Sequence, residues 1–306
     1  MSQPTCIEKL IHEFRNRSPM RVPSLISTVF GDVLTQHGGV IWLGSLVKAL
    51  SPLGVDERLV RTSVFRLVKD GWLKSHKLGR RSYYQLTTYG TREFQRAANR
   101  IYNMEKPEWN EKWQLVFPRD IPDDKKEPLR RSLHWQGFRQ IAAGVFARPE
   151  TDQKELLEII EEFSIESNVF LLNGYADNST PHLVVQDLVE ENWELGKIAK
   201  KYKEFIRRFS PPRKWLETHQ ADPESAFFAR TLLIHDYRRI LLQDTSLPEK
   251  LLPPSWPGLV AQQLTRELYL ALSTQSIVHI TSSMENDSGP LPKPSDEFYR
   301  RFSVKV

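Results

Sequence analysis

Three clusters of helix-breaking residues constrain the front of this chain more than any other feature. His37-Gly38-Gly39, Ser51-Pro52-Leu53-Gly54 and Asp70-Gly71 cut residues 24–71 into short helices that cannot fuse into one rod. Ser24 to Leu34 places Leu25, Ile26, Val29, Phe30, Val33 and Leu34 at the 3–4 spacing of an amphipathic helix. Val40-Ile41-Trp42 is a short strand candidate, Leu43 to Leu50 a second helix, and a third helix starts at Asp56, a suitable N-cap, and runs to Lys69. Trp72 to Leu78 and Ser82 to Leu86 read as two strands joined by the basic turn Gly79-Arg80-Arg81. Helix, turn, helix and hairpin in that order is the pattern of a winged helix-turn-helix. Thr87 or Thr88 can cap a further helix through Met104, with Arg92, Arg96 and Arg100 along one face and Lys106-Pro107 closing it.

Charge is distributed unevenly along the chain. Residues 1–105 hold 16 Lys and Arg against 8 Asp and Glu, whereas the remainder is slightly acidic, although the whole chain carries only +5. From Arg58 to Arg100 there are 11 basic residues against Asp70 and Glu93 alone, so a polyanion is the expected partner of the front segment. Cys6 is the only cysteine, which rules out an internal disulfide and fits a reducing cytoplasm. The start from Met1 to Phe14 is interrupted by Glu8, Lys9, His12 and Glu13. It therefore does not read as a signal peptide, and no stretch reaches the ~18 apolar residues of a membrane span.

The third helix divides into two faces. Val60, Val64, Leu67 and Val68 form an apolar stripe, and Arg58, Arg61, Thr62, Ser63, Arg66 and Lys69 are assigned to the sides and opposite face. Arginine can chelate guanine O6 and N7 in the major groove, and Ser or Thr can bond phosphate or base edges, so this is read as a recognition helix with Arg61, Thr62 and Arg66 on the bases. Arg80 and Arg81 on the wing are expected at a minor groove or on phosphates; Tyr83 and Tyr84 alternate across their strand, so Tyr83 is a candidate for the DNA backbone, with packing in the core the favoured alternative for both.

Beyond Trp109 the pattern changes. Lys112 to Pro118 reads as a strand, Asp123 to Trp135 as a helix, Arg139 to Arg148 as one or two strands around Ala142-Ala143-Gly144, Lys154 to Phe163 as a helix, and Asn168 to Gly174 as a strand. That βαββαβ order suggests a ferredoxin-like sandwich, a fold that does not by itself specify an activity. After a polar loop from Asp177 to Pro181 the chain looks helical over Leu183 to Phe209, Pro223 to Leu242 and Trp256 to Leu272. The Ser-, Pro- and acid-rich stretch Ser282 to Ser295 is expected to be mobile until Phe298-Tyr299-Arg300-Arg301-Phe302. The fold class is therefore α+β, with residues 1–105 as a winged helix-turn-helix and linking helix, 106–176 as the ferredoxin-like domain and 177–306 as a helical C-terminal domain.

Several runs together resemble the PaaX family, the repressors of phenylacetic acid degradation operons. They include Ile41-Trp42-Leu43-Gly44-Ser45-Leu46, Val60-Arg61-Thr62, Phe65-Arg66-Leu67, Gly71-Trp72-Leu73, Gly79-Arg80-Arg81-Ser82, Trp135-Gln136-Gly137-Phe138, Tyr237-Arg238-Arg239 and Leu251-Leu252-Pro253. The similarity spans nearly the whole chain, and no single short motif carries it. It implies a GntR-like winged helix, a Cas2-like middle domain that could mediate dimerisation, and a helical C-terminal domain that could bind the effector. It further implies a homodimer on a palindromic double-stranded operator, released by phenylacetyl-CoA, a CoA thioester. For that ligand, His235, Tyr237, Arg238, Arg239 and Trp256 are candidate effector residues, since arginines suit phosphates and apolar walls suit an aryl ring; the equal alternative is that Arg238 and Arg239 pair with acidic groups while Tyr237 and Trp256 fill a core.

Two rival classes stay open. A Cas2-like domain raises a metal-dependent nuclease, with Asp120 near the end of the domain's first strand as the candidate carboxylate. A non-DNA-binding assembly or sensor protein is the other. Neither a zinc spacing among His134, His182, His219, His235 and His279, nor a GxSxG, Walker or GxGxxG motif, points to an enzyme, so no catalytic residue, metal ligand or cofactor is assigned.

Overall fold

The computed structural model describes residues 5–103, 109–150, 154–177, 179–245 and 247–302. The chain divides into two compact units. The first comprises Met1–Glu105, Tyr202–Ile240 and Gly258–Val306, and the second Lys106–Lys201 and Leu241–Pro257. Residues 177–306, read from sequence as one helical segment, therefore contribute to both.

In the first unit, α1 (Cys6–Arg15) opens with a capping box: Glu8 N donates to Thr5 Oγ1 at 3.2 Å, and Thr5 N donates to Glu8 Oε2 at 2.5 Å. The amphipathic run beyond it forms α2 (Val22–Thr28) and continues through a π-turn over Val29–Val33 instead of one regular helix. The wider turn accompanies a fully buried carboxylate, Asp32, within it. Next come β1 (Val40–Trp42), α3 (Leu43–Leu50), a 3₁₀ turn at Ser51–Leu53 and α4 (Glu57–Lys69). Gly54 and Gly71 take φ of 80° and 75°, so the breakers act as read. The hairpin β2 (Leu73–Leu78) and β3 (Arg81–Leu86) joins β1 in an antiparallel sheet of order β1-β3-β2. Helix α5 (Thr88–Tyr102) follows, capped by Thr87, whose Oγ1 accepts from Gly90 N at 3.0 Å. Met104 and Lys106-Pro107, expected to end this helix, lie outside the described residues.

The second unit is built on β4 (Lys112–Pro118), α6 (Asp123–Trp135), β5 (Arg139–Ala142), β6 (Val145–Pro149), α7 (Lys154–Phe163) and β7 (Val169–Tyr175). Its antiparallel sheet has the order β5-β6-β4-β7. Val116, Phe138, Leu129, Leu133, Leu156, Ile159 and Ile160 form one core between the sheet and its two helices. The helix expected over Leu183 to Phe209 is broken into α8 (His182–Asn192) and α9 (Leu195–Leu216). At the break Glu194 has φ 50°, and Trp193 is buried with Nε1 donating to the Gly137 carbonyl at 3.2 Å and its ring against Trp113. Anchoring that indole interrupts the helix at a place where the sequence periodicity gives no signal.

From Tyr202 onward α9 belongs to the first unit, with most of α10 (Pro223–Leu241) and α11 (Pro257–Ser283). The tail expected to be mobile is instead ordered: β8 (Glu285–Asn286) and β9 (Gly289–Pro290) form a small hairpin, followed by α12 (Asp296–Arg300). Its polar residues find partners in the front segment. Glu285 N donates to Ser45 Oγ at 2.9 Å, Ser295 N donates to the Gln36 carbonyl at 2.9 Å, and His37 Nδ1 lies 2.7 Å from the Pro292 carbonyl. Low hydropathy signals disorder only when no such partners exist.

The front segment and the C-terminal helices share one buried ionic centre. Asp32, 1% exposed, accepts from Tyr102 Oη at 2.7 Å, Tyr269 Oη at 2.9 Å, Arg230 at 3.1 and 3.2 Å, and Arg301 at 3.0 Å. Burial alone would raise its pKa, but the two guanidinium charges and two hydroxyl donors hold it below the usual carboxylate value. In the same field, burial and the Asp32 charge push Tyr269 up to about 12.

Candidate nucleic-acid interface

Helix α4 starts where Asp56 Oδ1 accepts from Leu59 N at 2.8 Å, and the acid also complements the positive end of the helix. Val60, Val64 and Leu67 are buried, packed with α2 and its neighbours. Arg58, Arg61, Thr62, Arg66 and Lys69 are exposed. Ser63 is not: it faces inward at 6% exposure, so it leaves the set of outward polar groups. At 3.6 residues per turn Ser63 lies nearer the Val60–Leu67 stripe than the arginine face.

The arginines are only loosely held. Arg61 pairs with Glu57 one turn back at 2.6 Å and Arg66 with Asp70 at 3.7 Å, all four side chains at least half exposed. Pairs of this kind contribute ~0–1 kcal/mol, so a phosphate or base edge can replace the carboxylate. Thr62 Oγ1 donates to the Arg58 carbonyl at 2.8 Å and retains acceptor capacity. Arg58, Lys69 and Arg80 have no acidic partner among the described residues.

The hairpin turn is tighter than expected. Leu78 pairs with Arg81, leaving Gly79 and Arg80 as a two-residue turn in which Gly79 takes φ 59°. Only Arg80 sits at the tip. Arg81 is the first residue of β3, with its guanidinium 4.1 Å from the Trp42 ring and 3.1 Å from Glu285 Oε2. Tyr83 is buried and stacks on His76 with centroids 5.4 Å apart, which removes it from the backbone-contact candidates; Tyr84 is half-buried on the opposite face. His76 in turn lies 3.2 Å from Asp287. Beside the hairpin, Lys74, Arg92 and Arg96 line an open groove of about 590 Å³ along α5.

Sequence reading missed two features here. Phe65, in the centre of the outward face of α4, is 70% exposed. Its position off the apolar stripe was the available signal. The second is the acidic tail hairpin at Arg81 and His76, for which local sequence carries no signal, since the partners lie more than 200 residues apart.

The expected effector residues do not form an open site. Trp256 is buried in the second unit, while His235, Tyr237, Arg238 and Arg239 belong to the first. His235 is buried with Nδ1 3.1 Å from Thr28 Oγ1, and burial pushes its pKa down to about 3. Tyr237 packs on Phe205. Arg238 donates to the Ser24 carbonyl at 2.9 Å and to its Oγ at 3.0 Å, with its pKa lowered to about 10 by burial. Arg239 is half-buried. Asp120, the candidate of the nuclease reading, is exposed at φ 49° after β4, and the described residues hold no group of three or more His, Cys, Asp or Glu placed to bind a metal. Among the described residues no helix is long and apolar enough to cross a membrane.

Family models match most of the chain: a PaaX-like protein over residues 21–90, the PaaX central Cas2-like domain over 106–184 and the PaaX-like C-terminal domain over 193–282. The transcriptional repressor PaaX of Escherichia coli (strain K12) is 35% identical over 298 residues, 97% of this chain and 94% of that protein. The chain belongs to the PaaX family. That relative is, by its printed name, a transcriptional repressor. The fold is shared further afield with an uncharacterized protein from Mycobacterium tuberculosis, at TM-score 0.52 and 18% identity over 82% of this chain and 94% of that one. Within the PaaX-family chain, the 21–90 segment contains α4 and the hairpin whole.

Proposed function

We propose that this PaaX-family chain is a DNA-binding transcriptional repressor whose α3, α4 and β2–β3 hairpin act as a winged helix-turn-helix, with α4 in the major groove. The observation that carries the reading is the outward face of α4: Arg58, Arg61, Thr62, Arg66 and Lys69 are exposed on a helix whose other side is fixed in the core. Arg61 and Arg66 suit guanine edges, while Arg58, Lys69 and Arg80 suit phosphates. A homodimer would set two such helices one turn of DNA apart on a palindrome.

By the family resemblance seen in the sequence, the regulated genes are taken to be those of phenylacetate catabolism, with phenylacetyl-CoA as the releasing ligand. Release requires that the ligand prefer the DNA-incompetent state, since equal affinity for both states shifts nothing. Because His235, Tyr237 and Arg238 are engaged in packing, a ligand reaching them must select a state in which α10 and α2 have parted, which would couple its binding to the α4 scaffold. The test is a titration of the purified chain on its own upstream intergenic DNA with and without phenylacetyl-CoA. Sequence-specific retardation abolished by the thioester is expected; retardation no stronger than on random duplex overturns the reading.

A further inference from the structure

Two apolar side chains of α4 are exposed in a way phosphate contact does not explain, Leu59 at 44% and Phe65 at 70%, and Phe65 is the more exposed. Phe65 lies one helical turn from Arg61 and from Lys69 and three residues from Thr62, so it occupies the middle of the exposed cationic face. The apolar stripe of the helix, Val60, Val64 and Leu67, is on the other side and fully accounts for its packing in the core. Phe65 is 70% exposed, and the favourable burial available to an aromatic side chain is left unused in the unbound protein. Its cationic surroundings also narrow the choice of partner. A wholly apolar protein groove or lipid interior would have to desolvate Arg61, Arg66 and Lys69 to reach the ring, whereas a duplex groove satisfies those charges with phosphates and guanine edges while presenting a small apolar group between them. In the major groove that group is the C5-methyl of thymine.

We infer that Phe65 is a specificity-determining residue that reads a thymine methyl in the operator, next to the base pair contacted by Arg61. This rests on the repressor reading above and adds to it a base identity that arginine contacts alone would not supply. The ring would select thymine over cytosine by burial of one methyl, and its effect would be confined to one position per half-site.

The probe is the duplex that the full-length chain enriches from a random-sequence pool, with each dT replaced in turn by dU, which deletes only the methyl. For the wild-type chain one replacement per half-site is expected to weaken binding about fourfold, the value of one buried methyl group. Phe65→Ala is expected to bind random duplex as before, to be indifferent to that replacement and to respond normally to all others; Phe65→Leu is expected to retain part of the response. Because Phe65 packs nothing in the core, both variants keep the wild-type Tm. A selected duplex whose dU profile is the same for wild type and Phe65→Ala overturns the role of Phe65 and leaves the repressor reading standing. Loss of self-association in Phe65→Ala would place the ring in a protein contact and also overturn it. Enrichment of no sequence at all overturns the repressor function, and with it the role of Phe65.

Discussion

The arginines of α4 and those around Asp32 are the same residue type put to opposite uses. Arg61 and Arg66 lie at the surface, each beside a carboxylate one helical turn away on its own chain segment and easily displaced from it. Arg230 and Arg301 are enclosed, held on a carboxylate from a distant part of the chain, and flanked by the rings of Tyr102, Tyr269 and Phe298. Removing water makes the second group obligatory to the fold, whereas keeping water leaves the first group available to a partner. A count of positive charges does not distinguish them, because burial decides which role each plays.

The most severe test of this contrast is Asp32→Asn. It leaves two buried guanidinium groups without their anion and is expected to destabilise the protein by ~3–5 kcal/mol, measured by urea unfolding. A loss below 1 kcal/mol would show that the centre is not a structural keystone. Arg61→Ala and Arg66→Ala should have the converse effect: each weakens binding to the selected operator by ~1–3 kcal/mol with unfolding unchanged. Gel shifts identical to wild type in both variants would remove α4 from the bases.

A third test uses His235, the buried neutral imidazole near the same helices. With its folded pKa at about 3, below the ordinary histidine value near 6.5, the unfolded chain takes up a proton at a pH where the folded one does not. The stabilisation is therefore complete above pH ~6.5 and declines by up to ~1.4 kcal/mol per pH unit as pH falls toward 3. His37 and His279, also lowered by burial, add slopes of the same sign. His235→Gln should flatten the pH dependence of unfolding without abolishing it. The smallest expected effect is at the hairpin. Glu285→Ala removes the carboxylate that competes for Arg81 and should tighten duplex binding by up to about fivefold, the range of an exposed pair, with the gain shrinking at higher salt.

What could be read in the sequence follows from interaction range. Breakers, caps and 3–4 spacing act within a turn or two, so Asp56, Thr87, Gly54 and Gly71 marked their elements correctly, and the Thr5–Glu8 capping box could have been read in the same way. The exposed arginines of α4 followed from the same periodicity. Ser63 was misplaced, and Tyr83 was left between core and DNA backbone, because a polar or amphipathic group near the edge of a face can turn either way, and packing decides. The Asp32 centre, the ordered tail and the break at Trp193 depend on partners far apart in sequence, which local pattern cannot supply.

The separation between Asp32 and Arg301 bears on how the molecule is made. Their hydrogen bond spans 269 positions, so during synthesis the carboxylate in the front helix must wait for that length of chain to emerge before it acquires both of its cations. The amino-terminal portion is therefore completed last rather than first, and a translation product stopped short of Arg301 would present α4 on an unfinished scaffold.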